Sequence, residues 1–110
     1  MKTPLFSIIT ITFNAESTLE PTLCSVAAQQ ENDYEYLIVD GASKDGTVAL
    51  ARQYDCVTRI ISEPDRGLYD AMNKGIKAAT GEYLVFLNAG DSLYAPDTLN
   101  KLHDFIGENR

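Results

Sequence analysis

The chain has 110 residues, 45% hydrophobic and 23% charged, and sixteen Asp and Glu against nine Lys and Arg give it a formal charge of −7. That length suits one domain burying roughly 60 to 70% of the surface its unfolded form exposes, and no tract reads as disordered or of low complexity. The acidity excludes a surface that tracks nucleic-acid phosphates, which needs clustered Lys and Arg, so a phosphate-bearing ligand must find its positive charge elsewhere.

The first predicted element is "FSIITITF", Phe6 to Phe13, rich in Ile and Thr and suited to a strand covered on both faces, ending at Asn14. "STLEPTLCSVAAQQ" predicts a helix with Ser17 or Thr18 as N-cap, Pro21 in the first turn, and Leu19, Leu23, Val26 and Ala27 on one stripe. A second strand is expected at Tyr36 to Val39, stopped by Asp40-Gly41. A helix follows it, with Val48, Ala51, Arg52 and Asp55 at helical spacing and Ser43 or Asp45 near its start. "VTRIIS" predicts a third strand, ended by Glu63-Pro64-Asp65.

Between Gly67 and Ala79 the residues Leu68, Ala71, Met72, Ile76 and Ala79 share a helical stripe, and Gly81 stands where a left-handed cap is expected. Five apolar residues from Tyr83 to Leu87 then predict a buried strand. Pro96 can start a last helix with Leu99, Leu102 and Ile106 inward and Gly107 past its end. Alternating strands and helices imply an α/β fold: an open, mostly parallel sheet with right-handed crossovers.

Ligands of such sheets bind beyond the carboxyl ends of the strands, where the strand order reverses. That rule gathers Phe13-Asn14, Asp40-Gly41, Glu63 with Asp65, and the turn Asn88 to Asp91 onto one acidic rim. Taken singly, Asp40 and Asp91 read as turn residues, Gly90 as conformationally permissive and Phe13 as core. "GASKDGT" imitates a phosphate loop, but Thr47 occupies the position where its Lys belongs. Taken together, four carboxylates on one rim call for a counter-charge beyond Arg66. A magnesium or manganese ion held by one or two carboxylates and a ligand's phosphates supplies it. Ala89 and Gly90 would let a diphosphate approach the backbone, and the Phe13 ring could cover a nucleobase while Asp40 accepts a hydrogen bond from base or ribose. Glu16, Arg66 and Lys74 read as solvated, and His103 as inert on an outer face.

No apolar run approaches the ~20 residues of a membrane span and no signal-peptide layout is present, so the chain reads as cytoplasmic. Cys24 and Cys56 are isolated and there is a single His, which argues against zinc and for two small buried hydrophobes in a reducing compartment.

"SIITITFNAESTLEPTLCSVAAQ", "YEYLIVDGASKDGT" and "SEPDRGLYDAMNKGIKAATGEYLVFLNAGDSLYAPDTL" together resemble the N-terminal half of a family 2 glycosyltransferase of GT-A fold. The resemblance implies inverting sugar transfer from a nucleotide-sugar, usually a UDP-sugar, with a divalent ion on the diphosphate. By position, Thr12, Phe13, Asn14 and Glu16 match the nucleotide-contacting end of the first strand, and Asp40 the residue that hydrogen-bonds the base. Asp65 and Asn73 match the donor site. Asn88, Ala89, Gly90 and Asp91 match the metal-binding turn, with Asp91 as metal ligand. Asn88 and Gly90 stand where many relatives carry Asp, so Asp91 is the turn's only carboxylate.

Relatives continue well beyond this length into a half that supplies the acceptor pocket and the catalytic base. The expectation is therefore a single domain, 1–110, forming the donor half of a truncated enzyme, inactive alone and able to self-associate through the face its other half would cover. The intact enzyme is expected to glycosylate a saccharide or lipid-linked acceptor in surface-polysaccharide assembly, peripheral at the inner face of the membrane. A non-catalytic nucleotide-binding or assembly module is the alternative. A receiver-like signalling domain lacks its acidic pair after the first strand and its Lys after the last.

Overall fold

The computed structural model describes residues 3–109. Four strands, β1 (Phe6–Thr12), β2 (Tyr34–Asp40), β3 (Arg59–Ser62) and β4 (Tyr83–Phe86), form one all-parallel sheet in the order β3-β2-β1-β4. Helices α1 (Glu20–Ala27), α2 (Thr47–Arg52) and α3 (Leu68–Ala78) make the crossovers, and α4 (Thr98–Asn109) follows β4. The strand order reverses at β1.

β1 and β2 pair along seven residues each, from Phe6 opposite Tyr34 to Thr12 opposite Asp40. Strand side chains alternate between faces, so these two central strands feed two cores. Phe6, Ile8, Tyr36 and Ile38 pack with Leu19, Leu23 and Val26 at α1, Ala51 of α2 and Leu99 of α4. Ile9, Leu37 and Val39 pack on the opposite face with Ala71 of α3. Buried polar atoms inside the sheet are paired: the hydroxyls of Thr10 and Tyr36 lie 2.7 Å apart across the strands. Burial pushes the Tyr36 phenol up, against the lowering effect of that hydrogen bond. At the amino end, Glu35 accepts from the Ser7 hydroxyl and the Thr80 amide, both at 2.5 Å, and Gly81 N–H donates to Ser7 Oγ. Burial alone would raise the Glu35 pKa, but these donors outweigh it and hold the carboxyl below its ordinary value.

Several expectations are corrected. Neither Ser17 nor Thr18 caps α1: the chain passes through a turn in which Thr18 Oγ1 bonds Ala15 O, and Leu19 occupies the N-cap without a side-chain bond. Thr22 is buried on that helix and Ala27 is exposed. α2 stops before Asp55, β2 extends from Tyr34 to Asp40, and β3 begins only at Arg59.

α3 does not seat its large apolar residues. Leu68 is 57% and Ile76 45% exposed, while Ala71 and Gly75 are buried. The helix lies so close to the sheet that a Cβ on Gly75 would stand 2.9 Å from Ile9 Cγ2, which favours the smallest side chains at the contact. Gly81 is not a left-handed cap either; a Cβ there would stand 2.7 Å from the Ser7 backbone nitrogen, so glycine serves close approach.

β4 is not a buried strand. It has β1 as its one sheet neighbour among the described residues, and Tyr83, Leu84 and Phe86 are each 37–41% exposed. Gly107 lies inside α4, and Leu102 is 38% exposed while Leu99 is fully buried. Cys24 is exposed and Cys56 half-buried, both free, so the expectation of two buried cysteines fails.

Candidate functional site

Beyond the carboxyl ends of β1 and β2 lies a cleft of about 530 Å³, bounded by Ile11, Thr12 and Phe13, by Gly41, by Pro64 and Asp65, and by the first turn of α3. It is where the sheet rule puts a ligand. Phe13 is 66% exposed, so its ring lines the cleft and does not enter the core. Gly41 leaves room there: a Cβ would come within 2.7 Å of Asp65 Oδ2 and 3.4 Å of the Phe13 ring, so a larger residue would make the Asp65 carboxylate shift.

Beneath this floor Asp40 is buried, and its carboxylate accepts four hydrogen bonds. Oδ1 takes Thr12 Oγ1 (2.7 Å) and Ser43 Oγ (2.5 Å), and Oδ2 takes the Ser43 amide and Ser62 Oγ (both 2.8 Å). One side chain thereby ties the ends of β1, β2 and β3. Burial opposes its charge, but the Ser43, Thr12 and Ser62 donors prevail and hold its pKa below the ordinary value.

The two loops at the mouth are stitched to each other. Asn14 N–H donates to Ser43 Oγ, Lys44 N–H to Asn14 Oδ1, Ala15 N–H to Thr47 Oγ1, and Glu16 N–H to Asp45 Oδ2. Asn14 (φ 48°) and Ala42 (φ 61°) adopt left-handed backbone within this net. For Ala that conformation costs about 1 kcal/mol or more, sustained by the surrounding bonds.

Glu16 turns away from the cleft, accepting from Gly46 N–H at 3.0 Å, and lines a second depression with Glu20 and Gln53. Asn73 lies exposed on α3, outside the residues that line the cleft. The turn Asn88 to Asp91 forms a separate feature held by Thr22 of α1. The Thr22 hydroxyl accepts from Gly90 N–H (2.9 Å) and donates to Asp91 O (2.5 Å), with Asn88 O at 3.4 Å. Gly90 has φ 96°, a backbone that favours glycine, and Asp91 is exposed.

The expected crowding of four carboxylates is thus not what the structure contains. Asp40 is satisfied internally, and Glu63 pairs with Lys74 at 3.2 Å. Lys74 also approaches Asp70 and donates to Pro64 O, so it is a brace and not a free solvated cation. Among the described residues no three of His, Cys, Asp and Glu come together as a metal cage. His103 likewise has a partner, Glu31, at 2.6 Å, and this bond lowers the Glu31 pKa. Thr22 and Ser62 carry no signal of these roles in the sequence, and Ser43, expected only near the start of a helix, serves instead as a donor to Asp40; "EPTLC" and "GAS" carry only generic turn or helix signals.

Residues 7–110 match the family described as Glycosyl transferase family 2. The chain belongs to that family. It is 44% identical over 113 aligned residues to a PGL/p-HBAD biosynthesis glycosyltransferase of Mycobacterium bovis, covering 99% of this chain and 44% of the relative. It superposes with a TM-score of 0.87 and 27% identity on S. aureus TarS 1–349 in complex with UDP-GlcNAc, over 94% of this chain and 31% of that one. The mannosyltransferase PcManGT of Pyrobaculum calidifontis, in complex with GDP-Man and Mn2+, gives 0.79 and 29% over 90% of this chain and 31% of its own. The family 2 chain therefore spans less than half the length of these relatives, and its all-parallel sheet with flanking helices is shared with GT-A glycosyltransferases. Among its described residues no helix is long and apolar enough to cross a membrane.

Proposed function

We propose that residues 1–110 form a single domain that binds the donor, a nucleotide-sugar of the UDP class, for an inverting glycosyltransferase. The observation that carries this reading is the preorganised cleft beyond β1 and β2, with an exposed aromatic ring beside a glycine floor and a carboxylate. The UDP-GlcNAc and GDP-Man complexes of the two structural neighbours support it.

In this reading Phe13 covers the base, and Thr12 and Asn14 present the end of β1. Asp40 and Asp65 shape the donor site, Glu16 and Asn73 stay outside its lining, and Asn88, Ala89, Gly90 and Asp91 face the diphosphate. The turn fits a divalent cation as a single-carboxylate site: Asp91 is exposed, and the small residues 89 and 90 leave its backbone approachable. Mn2+ or Mg2+ would then be held by Asp91 and the ligand's phosphate oxygens. When bound, such an ion neutralises charge on a departing nucleoside diphosphate. No residue here is assigned as the base that deprotonates the acceptor, so this chain alone binds without transferring. The acceptor class is a saccharide or lipid-linked saccharide of surface-polysaccharide assembly, met on the cytoplasmic side at the membrane surface.

Calorimetric titration of UDP with Mn2+ tests the reading. Wild-type chain binds, and omission of Mn2+ or Asp91→Ala abolishes or weakens binding at least tenfold. Absence of UDP binding to folded wild-type chain overturns it.

A further inference from the structure

A Thr inside a helix can satisfy its hydroxyl on the carbonyl one turn earlier. Thr22 of α1 is fully buried, and its hydroxyl bonds instead to groups 68 and 69 positions away: it accepts from Gly90 N–H at 2.9 Å and donates to Asp91 O at 2.5 Å. Those two groups flank one peptide bond. Only a side chain that both donates and accepts satisfies them together, so a hydroxyl serves there and a Val of the same shape does not.

Asp91 N–H is closed on Asn88 O at 2.9 Å. Both backbone groups of Asp91 are therefore held, and its exposed carboxylate turns only about its own side-chain bonds. The tie continues along the helix. Ser25 Oγ accepts from Leu93 N–H at 3.1 Å, and Gln29, past the end of α1, donates to Ala95 O at 2.8 Å and accepts from Leu99 N–H at 3.1 Å. Thr22 and Ser25, three positions apart, share one face of α1, and the segment after β4 is hung along it. Asn88 and Gly90 carry no charge, so the turn offers a cation one carboxylate. Its affinity then depends on where that single group is held.

We infer that Thr22 is a positioning residue for cation and diphosphate binding at the 88–91 turn, acting through the backbone of Asp91 and touching neither ligand. The inference rests on the donor-site reading above and adds to it a buried residue of α1 that lies outside both the cleft and the turn.

The test is calorimetry on the 110-residue chain and its variants, giving the Mn2+ concentration that half-saturates UDP binding and the UDP affinity at saturating Mn2+. Thr22→Val keeps the side-chain shape and loses the hydroxyl. Its Mn2+ requirement rises about tenfold, the size of effect that follows loss of a group supporting a metal ligand. Excess Mn2+ brings its UDP affinity back to within about threefold of wild type by mass action. Thr22→Ser retains the hydroxyl and stays close to wild type in both quantities. Should Thr22→Val fail to fold, Ser25→Ala, which frees the Leu93 amide two residues beyond Asp91, takes its place with a change in the same direction.

An unchanged Mn2+ requirement in folded Thr22→Val or its stand-in, or an equal rise in Thr22→Ser, overturns the assignment while leaving the donor-site reading standing. UDP affinity that excess Mn2+ does not restore also overturns it, because a general loosening of the chain does not respond to metal. Failure of folded wild-type chain to bind UDP with Mn2+ overturns the donor-site reading, and the assignment with it.

Discussion

The cleft and the 88–91 turn are held in different ways. At the cleft, Asp40 bonds three segments and the two mouth loops exchange four further side-chain bonds, so the ends of β1, β2 and β3 form one braced unit. The turn is closed by its own Asp91 N–H to Asn88 O bond and tied to α1 by one side-chain hydroxyl, that of Thr22. Preorganisation lowers the ordering cost of binding a flat base. A turn held by fewer ties can adjust around phosphates and a cation. The same chain therefore places its rigid part under the proposed base and its adaptable part under the proposed diphosphate.

Removing the central brace should have the largest effect. Asp40→Ala leaves the buried Thr12 hydroxyl and the half-buried Ser43 donors, with the exposed Ser62 hydroxyl, without their acceptor, and a loss of about 2 to 3 kcal/mol is expected from denaturant midpoints. Thr22→Val should cost about 1 to 2 kcal/mol and speed amide exchange at Gly90 while leaving exchange at Ser43 unchanged. Equal acceleration at both amides would mean that the two regions are one unit and that the comparison fails. Ser62→Ala removes one of four bonds to Asp40 and should cost about 1 kcal/mol.

The smallest effect at neutral pH concerns proton linkage. Asp40 and Glu35 both have folded pKa values held below the ordinary 3.8 and 4.5, so the unfolded chain takes up protons first as acid is added. Their contribution is complete above those ordinary values and is lost as pH falls through the lowered, folded ones. Urea midpoints should therefore drop below about pH 4.5, and Glu35→Gln should flatten that acid limb. An acid limb unchanged in Glu35→Gln would remove Glu35 from the linkage.

Much of the sheet was legible. β1 and β2 announce themselves through near-continuous apolar and β-branched runs, because a central parallel strand must be apolar on both faces. The same signal misled at β4, where "YLVF" reads as buried although the strand is at the sheet's edge. Local sequence records the apolar character of a strand but not how many neighbours it has. α3 misled in the opposite sense: its stripe of Leu68, Met72 and Ile76 has helical period, but Ala71 and Gly75 make the closest contact. Only the distance between helix and sheet reveals that.

For the site, the order of elements and the polar strand ends brought Phe13, Gly41 and Asp65 to one place from sequence alone. The rule that ligands sit beyond parallel strand ends needs no side-chain coordinates. What the sequence could not supply was which acidic residue is already satisfied. Asp40 and Asp65 look alike as letters in a turn, yet one is surrounded by hydroxyls from residues 28 and 22 positions away and the other keeps an oxygen in the cleft. Fold class and the location of the cleft follow from local pattern and chain order, and the family from the resemblance of the stretches that carry them. The saturation of Asp40 was decided by tertiary structure, because hydrogen-bond saturation depends on which distant donors the fold brings within about 3 Å.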